Sequence, residues 1–98
     1  RPKPMLMASL AGCTGMDVMS ILKKMKVEAT ALNIRVEGII AEEHPKIYTS
    51  MHLIYEFTGE NLPMDRLVRA IELSQEKYCG VSLSLQKAMP VTWEVKIL

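Results

Sequence analysis

The run Ile47, Thr49, Met51, Leu53, Tyr55 and Phe57 alternates with Tyr48, Ser50, His52, Ile54, Glu56 and Thr58. A period of two sustained over this length sends successive side chains to opposite faces, and it predicts a β-strand with one face in a core. A shorter alternation precedes it. Leu32, Ile34 and Val36 alternate with Asn33, Arg35 and Glu37, and Gly38 is expected to mark a bulge. The polar break Glu42-Glu43-His44-Pro45-Lys46 is short, so the two strands are expected to close as an antiparallel hairpin. Pro90 introduces a last strand with Val91, Trp93, Val95 and Ile97 on one face, Trp93 serving as its core anchor.

Helical spacing governs most of the rest. Leu6, Met7, Leu10, Cys13, Asp17, Ile21 and Met25 recur at intervals of one, three and four, with Pro4 suited to a first turn. Gly12 and Gly15 interrupt this stretch, each weakening a helix by up to about 1 kcal/mol relative to Ala. Either one helix runs over about residues 4–26, or two helical pieces meet near Cys13. Thr58-Gly59-Glu60-Asn61 reads as a turn. A helix is predicted from about Pro63 to Lys77, capped by Asn61 and facing inward through Leu67, Val68, Ile71 and Ser74 or Gln75. A short helix is predicted over Gly80 to Ala88. The order helix, strand, strand, helix, short helix, strand is an α+β arrangement.

A chain of 98 residues suits one domain, and 49% apolar content suffices for a core. Domains this small often oligomerise, and some of the eight methionines are candidates for an interface. The net charge of +1 gives little pull on nucleic acid or anionic lipid. Lys23, Lys24 and Lys26 fit the cationic end of a helix. No stretch approaches 18 uninterrupted apolar residues, so no membrane span is predicted. The opening Arg1-Pro2-Lys3-Pro4 faintly resembles a signal peptide, but the apolar stretch runs on into the helix pattern, which argues against one.

The chain has two cysteines, Cys13 and Cys79. Each stands beside a glycine where a helix is expected to begin or be reshaped. A cysteine attacks peroxide as the thiolate, stabilised by a helix N-terminus, a cation or a hydrogen bond. Free N–H groups of a helix restarting at Gly12-Cys13-Thr14-Gly15, with the Thr14 hydroxyl, would serve Cys13. Cys79 would then meet the resulting sulfenate, provided that the two Cα atoms come within about 7 Å. The alternative is two unconnected core cysteines. His44 and His52 fit no zinc spacing with them, and no metal site is predicted. Glu42 and Glu43 read as a solvated turn. The Gly12–Gly15 stretch also spells a nucleic-acid clamp, but its apolar setting and Asp17 argue against nucleic acid as a partner. Asp17 reads as a helix cap, a lysine partner or a partly exposed residue. Tyr78 is expected to bond near the second thiol or to pack by its ring.

The stretch from Pro2 to Met25 resembles the central helix of the OsmC/Ohr family. Ser74, Lys77, Tyr78, Cys79, Val81, Ser82 and Leu85 match that family's second cysteine motif, S-x-x-K-Y-C-x-V-S-x-x-L. The resemblance covers nearly the whole chain. It implies a single OsmC-like domain over residues 1–98, the C-terminal three quarters of the usual domain without its N-terminal strands. The implied fold packs a central helix against an antiparallel sheet in an intertwined homodimer.

The implied function is a cytoplasmic, stress-related thiol peroxidase for organic hydroperoxides. Cys13 would be the peroxidatic residue and Cys79 the resolving one, with a dithiol or lipoylated protein as reductant and no cofactor or metal. The chain also departs from the family. Peroxidases of this kind stabilise the thiolate with an arginine from an N-terminal strand and a glutamate. Arg1 is too near the chain start for that role, and Lys3 stands where the hydroperoxide-resistance branch places the glutamate. The alternative implied by these departures is a non-enzymatic module of the same fold that binds an apolar ligand or a protein.

Overall fold

Gly12 and Gly15 do not break the first helix. The computed structural model, which describes residues 2–98, has an unbroken α1 over Pro2–Lys24. Its buried stripe is Leu10, Thr14, Val18 and Leu22, an i, i+4 ladder on one face. This stripe is rotated by about one position from the one the spacing predicts. Of the predicted members Leu10 is buried, Leu6 is exposed, and Met7, Cys13, Asp17, Ile21 and Met25 line the edge half-buried. Burying this ladder outweighs the two glycine penalties.

The helix ends in a double backbone lock. Lys26 N–H donates to Lys23 C=O at 3.1 Å and Val27 N–H to Leu22 C=O at 2.9 Å, with Lys26 left-handed at φ 62°. This is a Schellman ending, completed by the buried pair Val27 and Leu22. By length and mean hydropathy alone α1 is long and apolar enough to cross a membrane, although its apolar run is interrupted, as the sequence reading has it. Its buried face, however, carries hydrogen-bonded polar groups and packs against the sheet, as a core helix does.

β1 (Ala31–Ile40) and β2 (Tyr48–Thr58) pair antiparallel, as the hairpin expectation required. The register slips where Ile39 faces Ser50 and Ile40 faces Tyr48, leaving Thr49 as the extra residue. The bulge is therefore at Thr49, not at Gly38, and it changes the burial phase. Met51, Leu53, Tyr55 and Phe57 are buried as predicted, but before the bulge Tyr48 is buried while Ile47 is 60% exposed. Gly38 is small for another reason: a Cβ there would lie 2.7 Å from the Tyr48 ring and 2.9 Å from Met7 Sδ.

β3 (Val91–Ile97) lies beside β2 and runs parallel to it, so the sheet order is β1-β2-β3 and the sheet is mixed. The expectation of a wholly antiparallel sheet fails for a topological reason. The helical segments between β2 and β3 carry the chain back to the end of β2 where it began, so β3 must run the same way. The inner face (Leu53, Tyr55, Phe57, flanked by Leu32, Ile34, Trp93 and Val95) meets the helices in one hydrophobic cluster. Trp93 packs edge-on against Tyr55, with ring centroids 6.3 Å apart. The outer face carries polar pairs, including Asn33–Glu56 at 2.7 Å and His52–Thr92 at 2.7 Å.

α2 spans Met64–Leu73, preceded by Pro63 and not by an Asn61 cap; Asn61 is left-handed in the turn before it. From Ser74 to Tyr78 the helix widens into a π-helical turn, closed by Cys79 N–H donating to Ser74 C=O at 2.7 Å. Widening by one residue per turn lets neighbouring residues share a face. Ser74 and Gln75 are thus both buried, where helical spacing offered one or the other. α3 follows at Gly80–Gln86.

Candidate active site

Cys13 and Cys79 come together. Their Sγ atoms and a carboxylate oxygen of Asp17 all lie within 4.8 Å of one another. Both thiols are free, Cys13 half-buried and Cys79 wholly buried. Cys13 and Asp17 are one helical turn apart on α1, which aligns them along one edge. Cys79 reaches them from the junction between the π turn and α3.

The devices that hold the two sulfurs differ from the sequence expectation. Cys13 stands in mid-helix, so α1 offers it no free N–H groups of an N-terminus. Cys79 is the residue that caps a helix: its Sγ accepts the Ser82 N–H at 3.4 Å. Even so, burial pushes the Cys79 thiol up to about 11, with the neighbouring Cys13 and Asp17 adding to the rise and the Ser82 bond opposing it. Lys3 lies about 15 Å up the axis from Cys13 at ~1.5 Å per residue, too far to steady its thiolate. The role of Arg1 lies outside the described residues.

Thr14 does not serve the Cys13 sulfur. Its Oγ1 lies 2.7 Å from Tyr55 Oη, 2.7 Å from Ser74 Oγ and 3.3 Å from Gln75 Nε2. Ser74 Oγ donates to Asp17 Oδ2 at 3.2 Å. Gln75 Nε2 donates to Tyr55 Oη at 2.7 Å. Ser82 Oγ donates to Gln75 Oε1, and Gln86 Nε2 donates to Ser82 Oγ at 2.9 Å and to Gln75 C=O at 2.8 Å.

Proton counting fixes the direction of this chain. A carboxylate only accepts, and each hydroxyl has one proton to give. Ser74 spends its proton on Asp17, so Thr14 donates to Ser74, Tyr55 to Thr14, and the Gln75 amide to Tyr55. The other end of Gln75 accepts from Ser82, which accepts from Gln86. The result is one head-to-tail series from α3 through the π turn and β2 to α1, ending on the carboxylate beside the sulfurs. Burial also pushes the Tyr55 hydroxyl above its ordinary range, in keeping with its place as a donor. Among the described residues no buried side-chain nitrogen or oxygen lacks a partner.

Sequence reasoning misses most of this network. By pattern Tyr55 is only a strand residue, and Gln75 and Ser82 are only inner-face and motif positions. The available signal was polar residues occupying core phases: Thr14 in the ladder with Leu10, Val18 and Leu22, and Tyr55 in the phase of Leu53 and Phe57. Asp17, expected as a cap, a lysine partner or a partly exposed residue, is the acceptor of the series. Tyr78 is 54% exposed, with Lys77 Nζ 5.7 Å from its ring centre. With Asp17, Ser20, Ile21, Lys24 and Leu73 it lines an open groove of about 430 Å³, which shares Asp17 with the sulfur cluster. His44 is exposed and His52 is engaged on the outer sheet face, both away from this site.

Comparison with known proteins agrees with this architecture. Residues 1–94 match the family described as OsmC-like protein. Protein YhfA of Escherichia coli (strain K12) is 35% identical over 99 residues, an alignment covering 99% of this chain and 74% of that protein. A hypothetical protein from Aquifex aeolicus VF5, whose crystal structure is known, is 35% identical with a TM-score of 0.89, covering 100% of this chain and 75% of that one. The organic hydroperoxide resistance protein OhrB of Bacillus subtilis shares the fold, with a TM-score of 0.77 at 16% identity over 98% of this chain and 70% of that one.

Proposed function

The chain belongs to the OsmC-like family, and on that premise we propose that it is a thiol-dependent peroxidase that reduces organic hydroperoxides through Cys13 and Cys79. The observation that carries this reading is the meeting of two free thiols within 4.8 Å, one reachable and one buried. The Bacillus subtilis protein that shares the fold is named for organic hydroperoxide resistance, which points to the same substrate class.

Cys13, as thiolate, attacks the terminal oxygen of ROOH. The O–O bond breaks, the alkoxide leaves as alcohol after taking a proton, and Cys13 becomes a sulfenic acid. Cys79 sulfur then attacks Cys13 sulfur, the S–OH bond breaks, and the disulfide forms. The proton given up by Cys79 and the departing hydroxide make water; the alkoxide of the first step takes the one proton released when the Cys13 thiolate formed, so the two steps together consume no net proton. Asp17 is placed to carry that proton, since its carboxylate neighbours both sulfurs and is held by Ser74. An external dithiol or lipoylated protein restores both thiols by exchange.

Burial keeps Cys79 protonated until the sulfenic acid is next to it, which separates attack from resolution. A reducing compartment such as the cytoplasm keeps such a pair resettable, and that is the location proposed. The proposal includes a homodimer. Met5 and Met16 on α1 are 67% and 77% exposed, and an apolar groove between α1 and β1 is lined by Ala11, Gly12, Gly15, Met16, Met19, Leu32 and Ile34. A second subunit would cover this surface.

The test is anaerobic addition of cumene hydroperoxide to the reduced protein, with thiols counted after denaturation. One equivalent is expected to remove both thiols. Cys79→Ser should lose one thiol and trap a dimedone-reactive sulfenic acid, and Cys13→Ser should lose none. Unchanged thiols after excess cumene hydroperoxide and hydrogen peroxide would overturn the reading in favour of a non-enzymatic module.

A further inference from the structure

The groups that meet at the end of the polar series also form a donor set for a metal ion. Cys13 Sγ, Cys79 Sγ and the Asp17 carboxylate lie mutually within 4.8 Å. In a tetrahedral zinc site, bonds of ~2.3 Å to sulfur and ~2.0–2.2 Å to oxygen put donor atoms ~3.6–3.8 Å apart. The donors therefore have to close by no more than about 1 Å. Two donors come from adjacent turns of one helix and the third from a separate element, so the set requires the folded chain.

Two of the three donors, Asp17 and Cys79, already have an orienting partner of the kind metal ligands use. Ser74 holds one Asp17 oxygen and leaves the other free. Thr14 and Tyr55 hold Ser74 in turn. The Ser82 N–H points at Cys79 sulfur. Asp17 also lines an open groove beside Tyr78, the side from which a water would supply a fourth ligand.

We propose that the reduced protein binds one thiophilic divalent cation, with zinc as the type, through Cys13, Cys79 and Asp17. Two sulfur donors favour zinc or cobalt over magnesium or calcium. Binding converts two thiols to two metal-bound thiolates, releases two protons, and moves no electrons. A cation here occupies the lone pairs of both sulfurs and blocks their oxidation, giving a protected reduced form. Cation binding is read on reduced protein without peroxide, so it stands or falls separately from peroxidase turnover.

Cobalt(II) titration of the fully reduced protein under anaerobic conditions tests it. The expected result is one cobalt per chain, with a sulfur-to-cobalt charge-transfer band that zinc displaces. Cys13→Ser and Cys79→Ser should each cut the band to about half and weaken binding at least about 100-fold. Asp17→Asn should keep the full band but weaken binding about 10–100-fold, and Ser74→Ala should weaken it less. Circular dichroism of each variant checks folding, and Asp17→Asn, at a half-buried position, is the variant least able to disturb it. Absence of the band, or a band and affinity unchanged in Cys79→Ser or Asp17→Asn, overturns the proposal.

Discussion

If the buried polar groups form one directed series, Tyr55 and Thr14 are energetically coupled, and a double-mutant cycle measures that coupling. Tyr55→Phe deletes a hydroxyl that is wholly buried and makes two contacts of 2.7 Å. It leaves a Gln75 N–H with only its 3.3 Å contact to Thr14, and leaves Thr14 without its main donor. The lost bonds and the partly orphaned amide together cost about 1–3 kcal/mol. Thr14→Val deletes the next hydroxyl, leaves the Tyr55 O–H without its acceptor, and costs a similar ~1–3 kcal/mol.

Once either residue is gone, the other has lost much of what it did. The double variant should therefore cost less than the sum of the singles by about 0.5–3 kcal/mol. Urea unfolding at fixed protein concentration, analysed with a shared slope, reads all four states. In a domain of this size each kcal/mol also shifts the melting temperature by about 4–8 °C. Additivity within ~0.5 kcal/mol, or a Tyr55→Phe cost below ~0.5 kcal/mol, would refute the directed series.

Further outcomes follow from individual sites. Cys79, held near 11 in the fold against 9.0 for a free thiol, keeps its proton in the native state while the unfolded chain loses it. Its contribution to stability is thus full below pH about 9 and is lost as pH rises through about 11, at ~1.4 kcal/mol per pH unit. Alkylation of native Cys79 in a Cys13→Ser background should stay slow until that range; rapid labelling near pH 8 would contradict it. Gly38→Ala should destabilise by about 1–3 kcal/mol, because its Cβ meets the Tyr48 ring at 2.7 Å. Lys26→Gly should stabilise by about 0.5–1 kcal/mol, since φ 62° suits glycine in the Schellman ending; both changes are read by urea unfolding. Met16→Glu should convert a dimer to monomer in light scattering if α1 carries the subunit contact, and an unchanged mass would exclude that surface.

Period-two and helical spacing are local properties of the chain, and they were enough to assign the element order and the β1–β2 pairing. They also assigned the inward phase of Met51, Leu53, Tyr55 and Phe57 and the helical character around both cysteines. Local spacing did not reveal that Thr49 bulges and reverses the phase before it, because a bulge is defined against a partner strand. Nor did it reveal that β3 returns parallel, that α1 passes through Gly12 and Gly15 unbroken, or that a π turn brings Ser74 and Gln75 inward together. The site itself lay furthest from view. Asp17 and Ser74 are 57 residues apart, and Thr14 and Gln75 61. Their contact, like that of the two sulfurs, exists because burying the Leu10–Leu22 ladder against the sheet fixes α1 beside the π turn, and only the packed chain sets that distance.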